Sequence, residues 1–107
     1  MRTEREMLDL AAKAAGYWSE EFECASDLPR AGWNPRDDDG DALRLAVRLS
    51  MCVTQWINTS YPPHVMVGYR TGPDSGDNLT EDHGNDPTAA TRLAILRAAA
   101  EIGAAMP

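Results

Sequence analysis

The sequence predicts an α+β domain, a layered α-β-α sandwich in which three helices cover a small, mainly antiparallel sheet. Three observations predict it. Three segments carry apolar residues at helical spacing, each behind a start signal of its own. Two further segments alternate with period two, as half-buried strands do. Between those two stands Tyr61-Pro62-Pro63, which enforces a turn and makes the pair an antiparallel hairpin with a longer loop. At 107 residues the chain forms one domain, residues 1–107, and its 43% hydrophobic and 25% charged residues suit a packed core rather than a disordered chain.

In chain order, Thr3 and Glu6 form a T-x-x-E capping box, in which each side chain satisfies a backbone N–H near the other. Behind it Leu8, Ala11, Ala12 and Ala15 make one apolar stripe, and Gly16 ends the helix, predicted over 4–15. Residues 17–25 alternate loosely, with Trp18, Phe22 and Cys24 on one face, and read as one half-buried strand. Residues 26–35 hold two prolines and a glycine and read as a loop. The second helix starts near Asp38 or Asp39 and ends around Ser50. Its inner face is Ala42, Leu45, Ala46 and Leu49, and Arg44 and Arg48 share a solvated outer face. Residues 51–57 and 64–70 are the hairpin strands, residues 71–77 a flexible turn, and residues 78–82 a short further strand.

The last helix has the clearest start: Asp86 caps it, and Pro87 sits at the first position, where its missing N–H costs nothing. One face carries Ala89, Leu93, Leu96 and Ala100, a second Ile95, Ala98 and Ile102. A helix with two apolar faces needs cover on two sides. The sheet supplies one. The first helix, or a second copy of the chain meeting Ile95, Ala98 and Ile102, supplies the other.

The composition excludes several function classes. A formal charge of -7 and a pI near 4.6 oppose nucleic-acid binding, which needs clustered Lys and Arg, but favour steering toward a basic protein partner. Cys24 and Cys52 are too far apart for a zinc knuckle with His64 and His83 and read as reduced, half-buried thiols of a cytosolic protein. No apolar run approaches the roughly 18 residues of a membrane span, and the amphipathic N-terminus is not that of a signal peptide. The sequon Asn58-Thr59-Ser60 is therefore expected to stay unmodified. No glycine-rich phosphate loop is present, so no cofactor is expected.

The acidic run Asp37-Asp38-Asp39-Gly40-Asp41 has the look of a calcium loop and fails as one. Its first position is Pro35 and its twelfth is Ala46, where oxygen ligands are required. It reads as a helix N-terminus with surplus carboxylates, the alternatives being a weak cation site or a contact surface for a basic partner. His83, in Glu81-Asp82-His83-Gly84-Asn85-Asp86, could serve as a general base with Asp82 and Asp86 beside it, the basis of an alternative reading as a small ligand-binding or enzymatic domain. No activated serine or cysteine accompanies it, so no catalytic residue and no metal ligand is assigned. Trp33 precedes Asn34-Pro35 and is expected to staple the loop to Leu43 or Ala42; exposed, it would anchor an interface. The candidate interaction surface is thus Trp33, Asp37, Asp38, Asp39, Asp41 and His83.

The segments from Trp33-Asn34-Pro35 through Asp41-Ala42-Leu43-Arg44-Leu45-Ala46-Val47, and from Asp86-Pro87 to Ile102-Gly103, resemble small proteins of tailed bacteriophages and prophages. The group is the phage ABA-sandwich domain family, with NinX-like phage proteins as a looser relative. With the first helix, the Trp-Asn-Pro entry with the second helix, and the last helix, the resemblance covers about half the chain; residues 17–32 and the hairpin lie outside it. It implies an α-β-α layered fold, a bacterial host cytoplasm as the location, and an accessory role such as binding a host protein. The family carries no assigned activity, so no functional residue transfers with it.

Overall fold

The computed structural model describes residues 2–57 and 60–107. Its elements run α1 (Glu4–Ala15), β1 (Trp18–Ser19), β2 (Cys24–Ala25), α2 (Asp39–Arg48), β3 (Cys52–Trp56), β4 (His64–Arg70), β5 (Gly76–Asp82) and α3 (Pro87–Ala105). The α+β class, the three helices and the antiparallel pairing are as the sequence predicts. Each helix begins on its sequence signal. Thr3 Oγ1 accepts from the Glu6 N–H at 3.1 Å, with the Glu6 carboxylate accepting from the Thr3 N–H. Asp38 accepts from the Asp41 N–H at 2.8 Å, and Asp86 from the Ala89 N–H at 3.0 Å. Each such bond satisfies a helix-terminal donor that would otherwise lack a partner, worth about 1 kcal/mol. Gly16, at φ 85°, ends α1 in the left-handed conformation glycine adopts without strain. The first two residues of the sequon, Asn58 and Thr59, lie outside the described residues.

Residues 17–25 depart from the expectation of one strand. They form a small hairpin in which Trp18 pairs with Ala25 and Ser19 with Cys24. The Ser19 hydroxyl accepts from the Phe22 N–H at 3.2 Å, and Glu23 takes a positive φ of 49°. The reversal puts Phe22 at the tip, 70% exposed, and leaves Cys24 exposed as well, so only Trp18 of the three keeps partial cover.

The larger sheet has the order β3-β4-β5, antiparallel throughout. Its register lines up Val53, Val67 and Leu79 in one row and Gln55, Val65 and Glu81 in the next. Side chains of such rows share a face, and Val65 and Val67 are fully buried there. The opposite face, which includes Thr54, Trp56, Met66, Thr80 and Asp82, is half-buried or exposed throughout. β5 is longer than expected, because the turn after Arg70 closes tightly, with the Thr71 N–H donating to Ser75 O at 3.1 Å.

Helix α3 is the hub. Thr91, Ile95, Ala98 and Ile102 share one side of it by helical spacing, and the Thr91 hydroxyl accepts from Gln55 Nε2 of β3 at 2.9 Å, which turns that side to the sheet. Leu96, Ala99 and Gly103 share another side, which faces α1. There the two backbones nearly touch: a Cβ on Gly103 would lie 2.0 Å from Leu10 O. Ala11, Ala12 and Ala15 of α1 keep that approach close, and all three are buried. The layers therefore run sheet, α3, α1, with α2 also packed on α3. Ile95 and Ala98 are buried and Ile102 half-buried within one chain. The route to a homo-oligomer through those three residues is thereby withdrawn, since the chain's own sheet fills that face.

Arg48 is also reassigned. Its Nε donates to Ala15 O at the end of α1, and its guanidinium stands 5.0 Å over the Tyr17 ring, so it spans two elements rather than facing solvent alone.

Candidate functional site

The acidic run separates into residues with different partners. The Asp41 side chain is fully buried. Its Oδ1 accepts from Arg30 Nε at 3.1 Å and Arg44 Nη2 at 3.0 Å; its Oδ2 accepts from Arg30 Nη2 at 2.7 Å and the Asn34 N–H at 2.9 Å. Burial is the largest single influence on this carboxyl and pushes its pKa up. The hydrogen bonds from Arg30, the Asn34 N–H and Arg44 together outweigh it, and the carboxyl sits below the ordinary carboxylate value. The same bond to Asp41 leads the effects that raise the Arg30 guanidinium. Asp41 is thus a clamp that folds the 26–38 loop onto α2 and is closed to a partner.

Asp38 caps α2 and lies 3.4 Å from Arg30 Nη2. Asp39 pairs with Arg92 of α3 at 2.6 Å, and Arg92 Nε donates to Arg36 O, tying the start of α2 to α3. These pairings argue against the run as a cation site. Asp37 accepts from Asn34 Nδ2 at 3.2 Å and stays otherwise outward. Trp33 is 9% exposed and meets Tyr17 edge to face, centroids 5.8 Å apart at 83°. The ring that Trp33 meets is Tyr17, and Leu43, expected as a staple partner, is 63% exposed. An interface anchor at Trp33 is excluded by its burial.

His83 is 8% exposed and belongs to a hydrogen-bond relay that fixes its tautomer. The Thr91 hydroxyl donates to Pro87 O at 2.8 Å, so it must accept from Gln55 Nε2. That turns Gln55 Oε1 toward His83 Nε2, at 2.6 Å, and the proton therefore sits on Nε2. The His83 backbone N–H donates to Pro63 O at 2.9 Å. The ring thus locks the ends of β3 and β5 and the start of α3 to one another.

What the fold does bring together is a cleft of about 450 Å³ between the end of β5, the start of α3 and the loop before α2. Asp37, Glu81, Asp82 and Asp86 line it, against Arg36 and Arg92. Among the described residues no cation pairs with Asp37, Asp82 or Asp86. A neighbouring cleft of about 570 Å³ shares Arg36, Glu81 and Leu93 with it. Charges there are spent on one another, as Arg2–Glu101, Arg97–Glu81 and Arg36–Glu4. Of the two clefts, the first is therefore the one whose lining holds carboxylates with no ion pair, Asp37, Asp82 and Asp86. Among the described residues no three His, Cys, Asp or Glu side chains come together in a metal-binding group, and no helix is long and apolar enough to cross a membrane.

Sequence reasoning set His83, Asp82 and Asp86 together but did not bring Asp37 to them, and it missed Arg30, Arg36, Gln55 and Arg92. Arg30, eleven residues before Asp41, follows Leu28-Pro29 in a loop whose path no local pattern specifies. Comparison with family models, with curated proteins and with solved structures finds no match.

Proposed function

We propose that the protein acts by protein–protein contact, receiving a basic segment of a partner in the acidic cleft. The observation that carries this reading is the convergence of Asp37, from the loop before α2, with Asp82 and Asp86, from the connection between β5 and α3, around one concavity, with no cation paired to them among the described residues. A lysine or arginine side chain entering there meets carboxylates already held in place: Asp86 by its cap on Ala89, Asp37 by Asn34. The charge of -7 adds long-range attraction for a basic surface, an effect on association rate that salt screens. The resemblance of the Trp33–Val47 and Asp86–Gly103 segments to phage proteins supports a phage- or prophage-encoded accessory role, with the partner a protein of the bacterial host cytoplasm.

The competing reading, a small enzymatic or ligand-binding domain using His83, Asp82 and Asp86, has the concavity it requires. It loses force from the relay, because Nε2 of His83 is committed to Gln55 and, among the described residues, no serine, threonine, cysteine or lysine lines the cleft. The test is charge reversal. Asp37→Lys with Asp82→Lys spares the α3 cap and is expected to reduce, at least about tenfold, capture of basic host proteins that the unaltered chain retains. Equal capture by both chains would overturn the proposal.

A further inference from the structure

We propose that β3 pairs with β3 of a second copy of the chain, joining two three-stranded sheets into one continuous six-stranded sheet. The inference uses a surface apart from the acidic cleft and does not rest on it. β3 is an edge strand, and among the described residues no group outside β4 bonds to its main chain. An antiparallel pair uses only alternate N–H and C=O groups of each strand, so the other set along β3 points outward.

The two edges of this sheet are treated differently. β5 carries Asp77, Glu81 and Asp82, and Arg97 donates to its Thr80 O; charges of this kind block edge-to-edge pairing. β3 carries none. Residues 49 to 69 contain no Asp, Glu, Lys or Arg, in a chain with 25% charged residues. Along that edge Val53 is 38%, Trp56 42% and Ile57 63% exposed. Two copies each bearing a charge of -7 repel over most of their surface. This edge is where they can meet with no like charges opposed.

The strand also suits itself. A two-fold axis beside Thr54 sets Thr54 against Thr54, Val53 against Gln55 and Cys52 against Trp56 of the second copy. Threonine pairs and sulfur–aromatic contacts are both favourable there. Such an interface is isologous and closed, and it leaves each sheet ending on its charged β5 edge. Five strand residues a side make an interface smaller than the roughly 800 Å² per partner of a standard complex, so the dimer is expected to depend on concentration.

Light scattering and sedimentation read the mass from about 5 µM to about 500 µM, the range in which small interfaces assemble. The expected result is a rise from one 11.7 kDa chain toward twice that mass. Thr54→Lys is expected to remove the rise, and Asn78→Lys on β5 to leave it. A second variant fixes the register: Thr54→Cys, with Cys24 and Cys52 changed to Ser, should oxidise to a covalent dimer, because paired Cα atoms roughly 4.5–5.5 Å apart lie within disulfide reach. A mass of one chain at every concentration overturns the proposal and leaves the edge to a foreign strand. A dimer that persists in Thr54→Lys, or a Thr54→Cys chain that stays monomeric under oxidant, overturns it as well.

Discussion

Gly103→Ala tests how tightly α1 and α3 are packed. In an exposed helix interior this change stabilises, since alanine is the better helix former by about 1 kcal/mol. Here the added Cβ would stand 2.0 Å from Leu10 O, 2.8 Å from Leu10 C and 3.1 Å from Leu10 Cα. All three atoms are backbone, so no side chain can rotate away. Real Cβ contacts do not fall below 3.0 Å, so the helices must separate by about 1 Å at this crossing. The separation opens the layer that buries Ala11, Ala12, Leu96 and Ala99, all of them fully buried. Overpacking of this kind costs about 1–3 kcal/mol, and loosened contacts along the crossing add to it, against the 1 kcal/mol of propensity gained. The expected net is a loss of about 2 kcal/mol, read as a lower urea midpoint with unchanged slope. A neutral or stabilised variant would refute the close crossing, and with it the placement of α3 between sheet and α1.

Three further outcomes follow from named contacts. Asp41→Asn is expected to lower stability at pH 7 by about 2 kcal/mol, because the bonds from Arg30 and Arg44 lose their ionised acceptor and a donating NH2 replaces one of the two accepting oxygens. Asp41's folded pKa is lowered, so its contribution is complete above the unfolded value of about 3.9 and fades as pH falls through the folded value. Urea midpoints for the two chains should therefore converge toward acid, and a gap that stays constant would contradict this. Gln55→Ala leaves the His83 Nε2–H without its acceptor, costing about 1–3 kcal/mol, and the additional effect of Gln55→Ala on top of a His83 substitution should be smaller. Arg48→Ala should cost about 1–2 kcal/mol through the lost bond to Ala15 O and the lost contact with the Tyr17 ring, and a change within 0.5 kcal/mol would show that arginine to be solvated.

The parts of this fold legible in the sequence are those governed by neighbours along the chain. Thr3 with Glu6, Asp38, and Asp86 with Pro87 act within three or four residues of themselves, and all three helix starts stand where those residues put them. The hairpin of β3 and β4 was legible for the same reason, from alternation on each side of two prolines. The reversal at Phe22 was not, because Glu20-Glu21-Phe22-Glu23 contains no glycine, asparagine or proline, and Glu23 takes its positive φ without a sequence cue. The two apolar faces of α3 were visible as a demand for cover. Which of its neighbours met which face depended on Gly103 against Leu10 and on Thr91 against Gln55, contacts between residues far apart in the sequence. The cleft was illegible in the same way. Asp37, Asp82 and Asp86 were each noted, but Asp37 reaches the other two only because Asp41 anchors the loop to α2 and Arg92 binds both Asp39 and the Arg36 carbonyl.

The most direct measurement of the proposed activity is paired capture from host lysate, at low and at physiological salt, with the unaltered chain and with Asp37→Lys/Asp82→Lys, quantified by mass spectrometry. The acidic cleft predicts a basic host protein retained by the first, weakened by salt, and reduced at least about tenfold by the second, the ratio that 1.4 kcal/mol of binding energy sets. The same proteins captured equally by both chains, or capture insensitive to salt, would contradict the account.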